Sequence, residues 1–402
     1  MDFNSFGFEP KLLEGIDATG YQTATLIQEK AIPVIIEGKD LIASAQTGTG
    51  KTAAFLLPII QKIIASPSPF SIKAVIIVPT RELTVQIDRL CQGLSYFTPV
   101  SSIPVYGGTD GLAYSHEQSA LKEGVDIVIC TPGRFISHLN MGNVDLSNLQ
   151  FLVLDEADRM LDMGFLDDII KIISFLPKKR QTLMFSATMP DNIRLLARKS
   201  LQYPVEIYLG VSKPIEKIVQ SAYVVYDHQK IQVVKYILKR KQLKSVLVFC
   251  STKQSTKTLA RELKKSGISV AEIHSDLDQQ TREETLISFK NKQLYVLVAT
   301  DILSRGIDID DIDMVINFDV PHDGEDYIHR IGRTARAEAE GQAITFINEK
   351  EQNIFSKIEI LLGYQVHKAI VPDEFGEVPF YNPNLVNKKK RSFRKGTFRK
   401  KK

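Results

Sequence analysis

Ala45-Gln46-Thr47-Gly48-Thr49-Gly50-Lys51-Thr52 decides the reading of this chain. Leu41, Ile42 and Ala43 before it read as a short buried strand, and Ala53 to Ile60 after it as an apolar helix. A strand, a Gly-rich turn and Lys-Thr opening a helix form the context of a phosphate-binding loop. Gly48 and Gly50 carry no Cβ, so the backbone there can bend sharply and turn several N–H groups inward. The helix N-terminus adds a partial positive charge. Lys51 can reach the β- and γ-phosphates of a nucleotide, and the Thr52 hydroxyl can sit on Mg²⁺. Ala45 occupies the position at which the usual pattern begins with Gly. Taken without its flanks, the stretch also reads as a Gly-Thr turn before a surface helix.

The chain has 402 residues, enough for two domains with generous cores. Its 44% hydrophobic and 24% charged content is that of an ordinary soluble globular protein. No apolar run approaches membrane-spanning length and Met1 to Pro10 is not a signal peptide, so the expected location is the cytoplasm, without membrane contact. Cys91, Cys130 and Cys250 lie far apart and suit buried thiols better than a disulfide framework or a metal site. The net charge of +4 hides an asymmetry. Residues 388–402 hold ten Lys or Arg and no acid, leaving 41 basic and 47 acidic residues in the remainder. A mildly acidic body with a strongly basic tail implies a polyanionic partner for the tail, or a solubilising role for it.

Apolar runs of four to six residues alternate with longer amphipathic stretches. Strands are predicted at 74–78, 126–130, 151–154 and 182–185, then at 245–250, 270–274, 295–299, 314–318 and 343–347. Continuous Val/Ile/Leu runs separated by helices imply parallel strands covered on both faces, hence two doubly wound α/β domains. The halves echo each other: AVIIVPT (74–80) resembles SVLVFCST (245–252), and VDIVICT (125–131) resembles LYVLVAT (294–300). The second half lacks a Gly-Lys-Thr loop. The expected division is an ATP-binding domain over 1–205, a linker over 206–217, a second domain over 218–371 and a tail over 372–402. Within that tail, 372–387 reads as an extended connector and 388–402 as disordered without a partner.

Phe151 to Asp158 reads FLVLDEAD. An apolar strand delivers Asp155 and Glu156 to its C-terminal end, where a phosphate-loop ATPase holds Mg²⁺. Asp155 would bind the ion and Glu156 would polarise the attacking water. Taken alone, the same residues suit a helix N-cap. Asp155-Glu156-Ala157-Asp158 spells DEAD, and the chain resembles the DEAD-box ATP-dependent RNA helicases over about residues 3–370, with the motifs in that family's order. The resemblance implies two tandem RecA-like domains joined by a short linker, ATP and Mg²⁺ as cofactors, and ATP hydrolysis coupled to local opening of short RNA duplexes.

It also implies site residues. Gly20 to Gln28 resembles the Q motif, so Gln28 would read the adenine edge, with Phe3 stacking on the ring and Tyr21 beside it. Ala24 stands where the family usually has Pro. The loop Ala45, Gln46, Thr47, Gly48, Thr49, Gly50, Lys51 and Thr52 would cradle the phosphates. Pro79-Thr80-Arg81-Glu82-Leu83, Gly107-Gly108 and Thr131-Pro132-Gly133-Arg134 resemble RNA-binding motifs, placing Arg81, Gly108, Thr131 and Arg134 on the backbone of RNA; singly, each also reads as turn chemistry. Ser186-Ala187-Thr188 matches the motif that couples ATP state to strand separation, with Asp158 on its other side. By itself it could equally cap a helix. In the second half Gln279 and Arg282 match an RNA-contacting pattern, Thr300 would meet RNA and Asp308 the ribose. Arg333 and Arg336 would be arginine fingers on the γ-phosphate, with Arg330 the first of the three-residue repeat and Ala335 replacing the usual Gly. If that Gly supplies a positive φ, Ala costs about 1 kcal/mol there. Two further readings remain open from sequence: a DNA-dependent ATPase, and an ATP-gated RNA clamp that assembles complexes with little unwinding. Ribosome assembly, RNA decay and cold response are all compatible settings.

Overall fold

The computed structural model describes residues 1–45, 48–66, 71–108, 111–209, 218–240, 243–300, 312–322, 324–334 and 341–383. Gln46, Thr47, Asp308, Ala335, Arg336 and the basic tail lie outside them, as does the side chain of Gln279. The chain divides into two units, Met1–Ser212 and Lys213–Lys402.

The first unit is built on strands β1 (Leu41–Ser44), β2 (Ala74–Ile77), β3 (Ser102–Val105), β4 (Ile127–Cys130), β5 (Phe151–Leu154), β6 (Gln181–Ser186) and β7 (Val205–Tyr208). They form one sheet in the order β3-β4-β2-β5-β6-β1-β7, with every pairing parallel. The inner strands β2, β4, β5, β6 and β1 are buried at every residue, which is why they read as unbroken apolar runs. Successive side chains still alternate between faces: Leu41 and Ala43 enter one core, Ile42 the other. The helix Lys51–Ala65 packs on the first of these cores, where the Phe55 and Phe185 rings lie 5.2 Å apart. Truncating either ring to Ala removes a buried aromatic, a change that typically costs about 3–5 kcal/mol.

The second unit holds β8 (Ile218–Val224), β9 (Val246–Cys250), β10 (Val270–Ile273), β11 (Val296–Thr300), β12 (Met314–Asn317), β13 (Gly341–Ile347) and β14 (His367–Lys368), in the order β10-β11-β9-β12-β13-β8-β14. Taken from β8 onward, this is the order of the first sheet strand for strand. The echoed sequences occupy equivalent places, since AVIIVPT carries β2 and SVLVFCST carries β9. Thr80 and Thr252, after those strands, both cap the next helix, at φ −132° and ψ 155° or 151°, and accept the amides of Leu83 and Ser255. Duplication is therefore visible in topology, register and capping.

Two expectations need correction. β3, β7, β8 and β14 were absent from the sequence reading; they are edge or next-to-edge strands, and β3, β7 and β8 have mixed burial, so their apolar pattern is broken. The first unit runs through β7, which pairs with β1, so residues 206–208 are strand and not linker. The extended segment 372–383 is fastened down. Gln229 Nε2 donates to the carbonyls of Phe375 and Glu377, Gln352 binds Phe380 and Asn382, and Tyr381 donates to Glu359 at 2.7 Å. The segment is a strap laid from the helix Asp227–Arg240 to the helix Gln352–Leu362. Among the described residues no helix is long and apolar enough to cross a membrane.

Candidate active site

The strand order puts the ends of β1, β6 and β5 side by side. Ser44 pairs with Ser186 and Leu154 with Met184, so the phosphate loop, Ser186-Ala187-Thr188 and Asp155-Glu156 leave one stretch of the sheet's C-terminal edge. Ligands bind at this edge in open α/β sheets.

Gly48 and Gly50 have φ of +78° and +90°, and a Cβ at Gly50 would come within 2.5 Å of Gln28 Nε2. That position therefore needs glycine twice over, for conformation and for space. Lys51 opens the helix and is buried; its ammonium donates to the Ala45 carbonyl at 2.7 Å, folded back over its own loop. Ala45 itself is buried, and its amide donates to the Ser186 carbonyl, so a small residue suits the place. Thr52 follows, half-buried, on the first helical turn.

Asp155 is buried at the end of β5. Burial pushes its carboxyl up to about 7, against the pull of the Lys51 ammonium, and the neighbouring Glu156 carboxylate adds to the rise. The buried Asp155 carboxyl and the Thr52 hydroxyl are oxygen groups of the kind that suit Mg²⁺, whose charge would offset the desolvation.

Glu156 has φ 51° and ψ 49°, a left-handed conformation that costs a non-Gly residue roughly 1–2 kcal/mol. It stands at the N-cap of the helix Ala157–Asp162 but makes no side-chain cap bond; its carboxylate accepts Arg159 Nη1 at 2.9 Å. Capping is thus not what this side chain does. Backbone strain held at a carboxylate beside a nucleotide loop is the pattern of a functional residue.

Asp158 is tied to the end of β6. Its amide donates to the Ser186 hydroxyl at 3.2 Å, and its carboxylate accepts the amides of Ala187 and Thr188 at 3.1 and 2.9 Å. Ser186 uses its hydroxyl in this web, whereas Thr188 is held through its amide. Ser44, which the sequence reading passed over, donates to the Ala187 carbonyl at 3.0 Å and joins β1 to the same web. Arg159 was also missed; its place three residues after Glu156 in a helix was the available signal.

The N-terminal segment brings the Q-motif residues to this loop. Gln28 is fully buried, accepts the Thr25 amide and donates to the Gly50 carbonyl at 3.1 Å, while the Thr25 hydroxyl donates to the Thr49 carbonyl. Gln28 thus grips the loop itself. Phe3 lies edge-on to Tyr21, with ring centroids 6.2 Å apart, but is only 3% exposed. In this conformation almost none of its ring is open for a base to stack on. Ala24 donates its amide to the Met1 carbonyl at 2.9 Å, a bond that Pro could not make, so this departure ties down the N-terminus.

The RNA-motif residues leave β2, β3 and β4, the other half of the same edge. The Arg81 guanidinium lies against Gly108, where an added Cβ would fall 2.1 Å from Nη1. Thr80 spends its hydroxyl on a helix cap, but Thr131, at the N-cap of the helix Pro132–Asn140, makes no such bond. Arg134, in that helix's first turn, pairs with Glu117. In the second unit Thr300 ends β11 beside Cys250, and Arg282 is 6% exposed on the helix Gln279–Lys290. The helix Gly324–Ile331 ends before Arg333, so the Arg repeat is split. Arg330 is buried and donates to Asn317 at 3.1 Å and to the Asp319 carbonyl, whereas Arg333 sits half-buried in the following turn.

A phosphate loop, an acidic pair with Asp155 buried at a strand end two places along the same sheet, and a second sheet of the same order define a RecA-like ATPase with two tandem domains. Residues 25–196 match the DEAD/DEAH box helicase family and residues 229–338 the helicase conserved C-terminal domain. The chain is 42% identical to the ATP-dependent RNA helicase CshA of Listeria monocytogenes over 89% of its own length and 68% of that protein. It is 38% identical to the DEAD-box ATP-dependent RNA helicase RhpA of Helicobacter pylori, over 96% and 76% respectively. It is 39% identical to the ATP-dependent RNA helicase DeaD of Mycobacterium tuberculosis and spans 65% of it. Among solved structures, S. cerevisiae Dbp5 bound to RNA and ADP BeF3 superposes with a TM-score of 0.83 at 31% identity, over 93% of this chain and 96% of that one. The chain belongs to the DEAD-box family of ATP-dependent RNA helicases.

Proposed function

We propose that this helicase hydrolyses ATP only when its two units close together on RNA, and that closure opens short duplexes locally. The observation that carries the reading is the shared edge of the first sheet: the β1, β6 and β5 ends hold Lys51, Asp155, Glu156 and the Asp158–Ser186 bond, and the β2, β3 and β4 ends hold Arg81, Gly108 and Thr131. ATP would sit on the first set and the backbone of single-stranded RNA on the second. Lys51 would bind the β- and γ-phosphates; Thr52 and Asp155 would hold Mg²⁺, whose positive charge would offset that of the phosphates. Glu156 takes the proton of the attacking water. Gln28, Tyr21 and Phe3 would lie towards the base, with Phe3 exposing its ring first, and Asp308 towards the ribose. Arg333 and Arg336 come from the second unit, and an arginine finger is worth roughly 10³ to 10⁵ in rate, enough to make turnover conditional on closure. Arg134, Arg282 and Thr300 complete the RNA contacts. These read backbone and carry no base specificity.

The basic tail, with Phe393 and Phe398 among its charges, tethers RNA non-specifically. A cytoplasmic role within ribosome-assembly or RNA-decay complexes fits such a core. The test is displacement of one strand of a short RNA duplex with ATP and Mg²⁺. ATP-dependent displacement supports the reading; ATP-dependent retention of RNA without displacement would instead favour a clamp.

A further inference from the structure

The helices Gly111–Glu123 and Pro132–Asn140 meet through four side chains. Tyr114 and Glu117 lie one turn apart on the first helix, Arg134 and His138 one turn apart on the second. Glu117 is 5% exposed, and one of its oxygens accepts Arg134 Nε at 2.7 Å and also meets His138 Nε2 at 2.9 Å. The Arg134 guanidinium lies over the Tyr114 ring, 4.4 Å from its centroid, and Tyr114 stacks on His138 with centroids 4.6 Å apart. None of the roles assigned so far uses Glu117.

A buried carboxylate is costly unless charged partners compensate for its lost hydration. Its principal partner here is Arg134, three residues after Thr131 in the first turn of the helix Pro132–Asn140, an end whose dipole favours an anion. A free arginine loses rotamer entropy on gripping a phosphate, and one already fixed by a carboxylate and an aromatic face loses less. We propose that Glu117 is a positioning residue for RNA binding: through Nε and against the Tyr114 ring it holds Arg134 in the orientation in which the guanidinium meets a phosphate of the RNA backbone. The inference rests on the reading of Arg134 as an RNA contact.

The test is binding of a fluorescein-labelled single-stranded RNA to the full chain with a non-hydrolysable ATP analogue, for Glu117→Ala, Glu117→Gln, Arg134→Ala and the Glu117→Ala/Arg134→Ala pair. Glu117→Ala should weaken binding about tenfold, the scale of one lost hydrogen bond to a charged group. Glu117→Gln keeps an acceptor oxygen and should restore affinity to within about twofold of the parent. The double variant should bind no more weakly than Arg134→Ala alone. Equal losses from Glu117→Ala with and without Arg134 would overturn the positioning role, as would unchanged affinity in Glu117→Ala. Unchanged affinity in Arg134→Ala would overturn the RNA reading of that residue, and the inference with it. If Glu117→Ala does not fold, Glu117→Asp takes its place: one methylene shorter, it should weaken binding in the same Arg134-dependent way, and undiminished affinity would reject the proposal.

Discussion

Asp158 donates its amide to the Ser186 hydroxyl, and its carboxylate accepts the amides of Ala187 and Thr188 just beyond. The acidic tetrad after β5 and the end of β6 therefore move as one piece, and Ser44 extends that piece to the strand that feeds the phosphate loop. Ser186→Ala deletes one bond of the web, worth about 1 kcal/mol, and leaves Lys51, Asp155 and Glu156 in place. Strand displacement per ATP consumed should fall severalfold, while the hydrolysis rate falls less. A proportional loss of both activities would reject the coupling role.

Glu156→Gln keeps shape and the hydrogen bond from Arg159 but cannot take a proton. Turnover should fall by roughly 10² to 10⁴, the usual contribution of a general base, with ATP and RNA still bound. Single-turnover hydrolysis at the parent rate would show that another group is the base.

Arg333 stands in a turn after its helix, unlike the buried Arg330. Arg333→Ala should abolish RNA stimulation of hydrolysis, a loss of at least about 10³ in rate, with ATP affinity changed only a few-fold. Stimulation that survives the substitution would remove Arg333 from the catalytic set.

Asp88 lies inside the first unit, where burial raises its carboxyl above the ordinary range although the Ser102 hydroxyl donates to it. A carboxyl raised in the folded state is fully accommodated below its unfolded value of 3.8 and becomes a burden as pH rises through the folded value. Asp88→Asn carries no charge to bury. The melting temperature of the variant should gain on the parent between pH 4 and pH 8, and a difference constant across that range would refute the assignment.

Deleting 388–402 removes ten positive charges. If each meets a phosphate, the logarithmic salt slope of single-strand binding should flatten by up to about 7, with ATP hydrolysis by the remaining chain retained. An unchanged slope would point to a solubilising tail.

The strap at 372–383 and the strands β3, β7 and β8 show where sequence reading stops. A strand buried on both faces writes an unbroken apolar run, so β2, β4, β5, β6, β9, β11 and β12 could be read directly. An edge strand such as β7 is half-wet and mixes Glu206 and Tyr208 with Ile207, which leaves no clear period. The strap is held by Gln229, Gln352 and Glu359, whose partners lie up to 148 residues away.

The sequence by itself determined the phosphate loop, the acidic pair, the two parallel-sheet domains and the order of the helicase motifs, because local backbone geometry and donor chemistry demand those residue types at those spacings. Only the tertiary structure decided which groups those side chains hold. Gln28 grips Gly50, Lys51 folds onto Ala45, Glu156 pairs with Arg159 and Arg134 with Glu117. Several of these pairs join different elements of the fold. Even within one loop or turn the choice among neighbours follows from burial and space, which the packing of all strands and helices together creates.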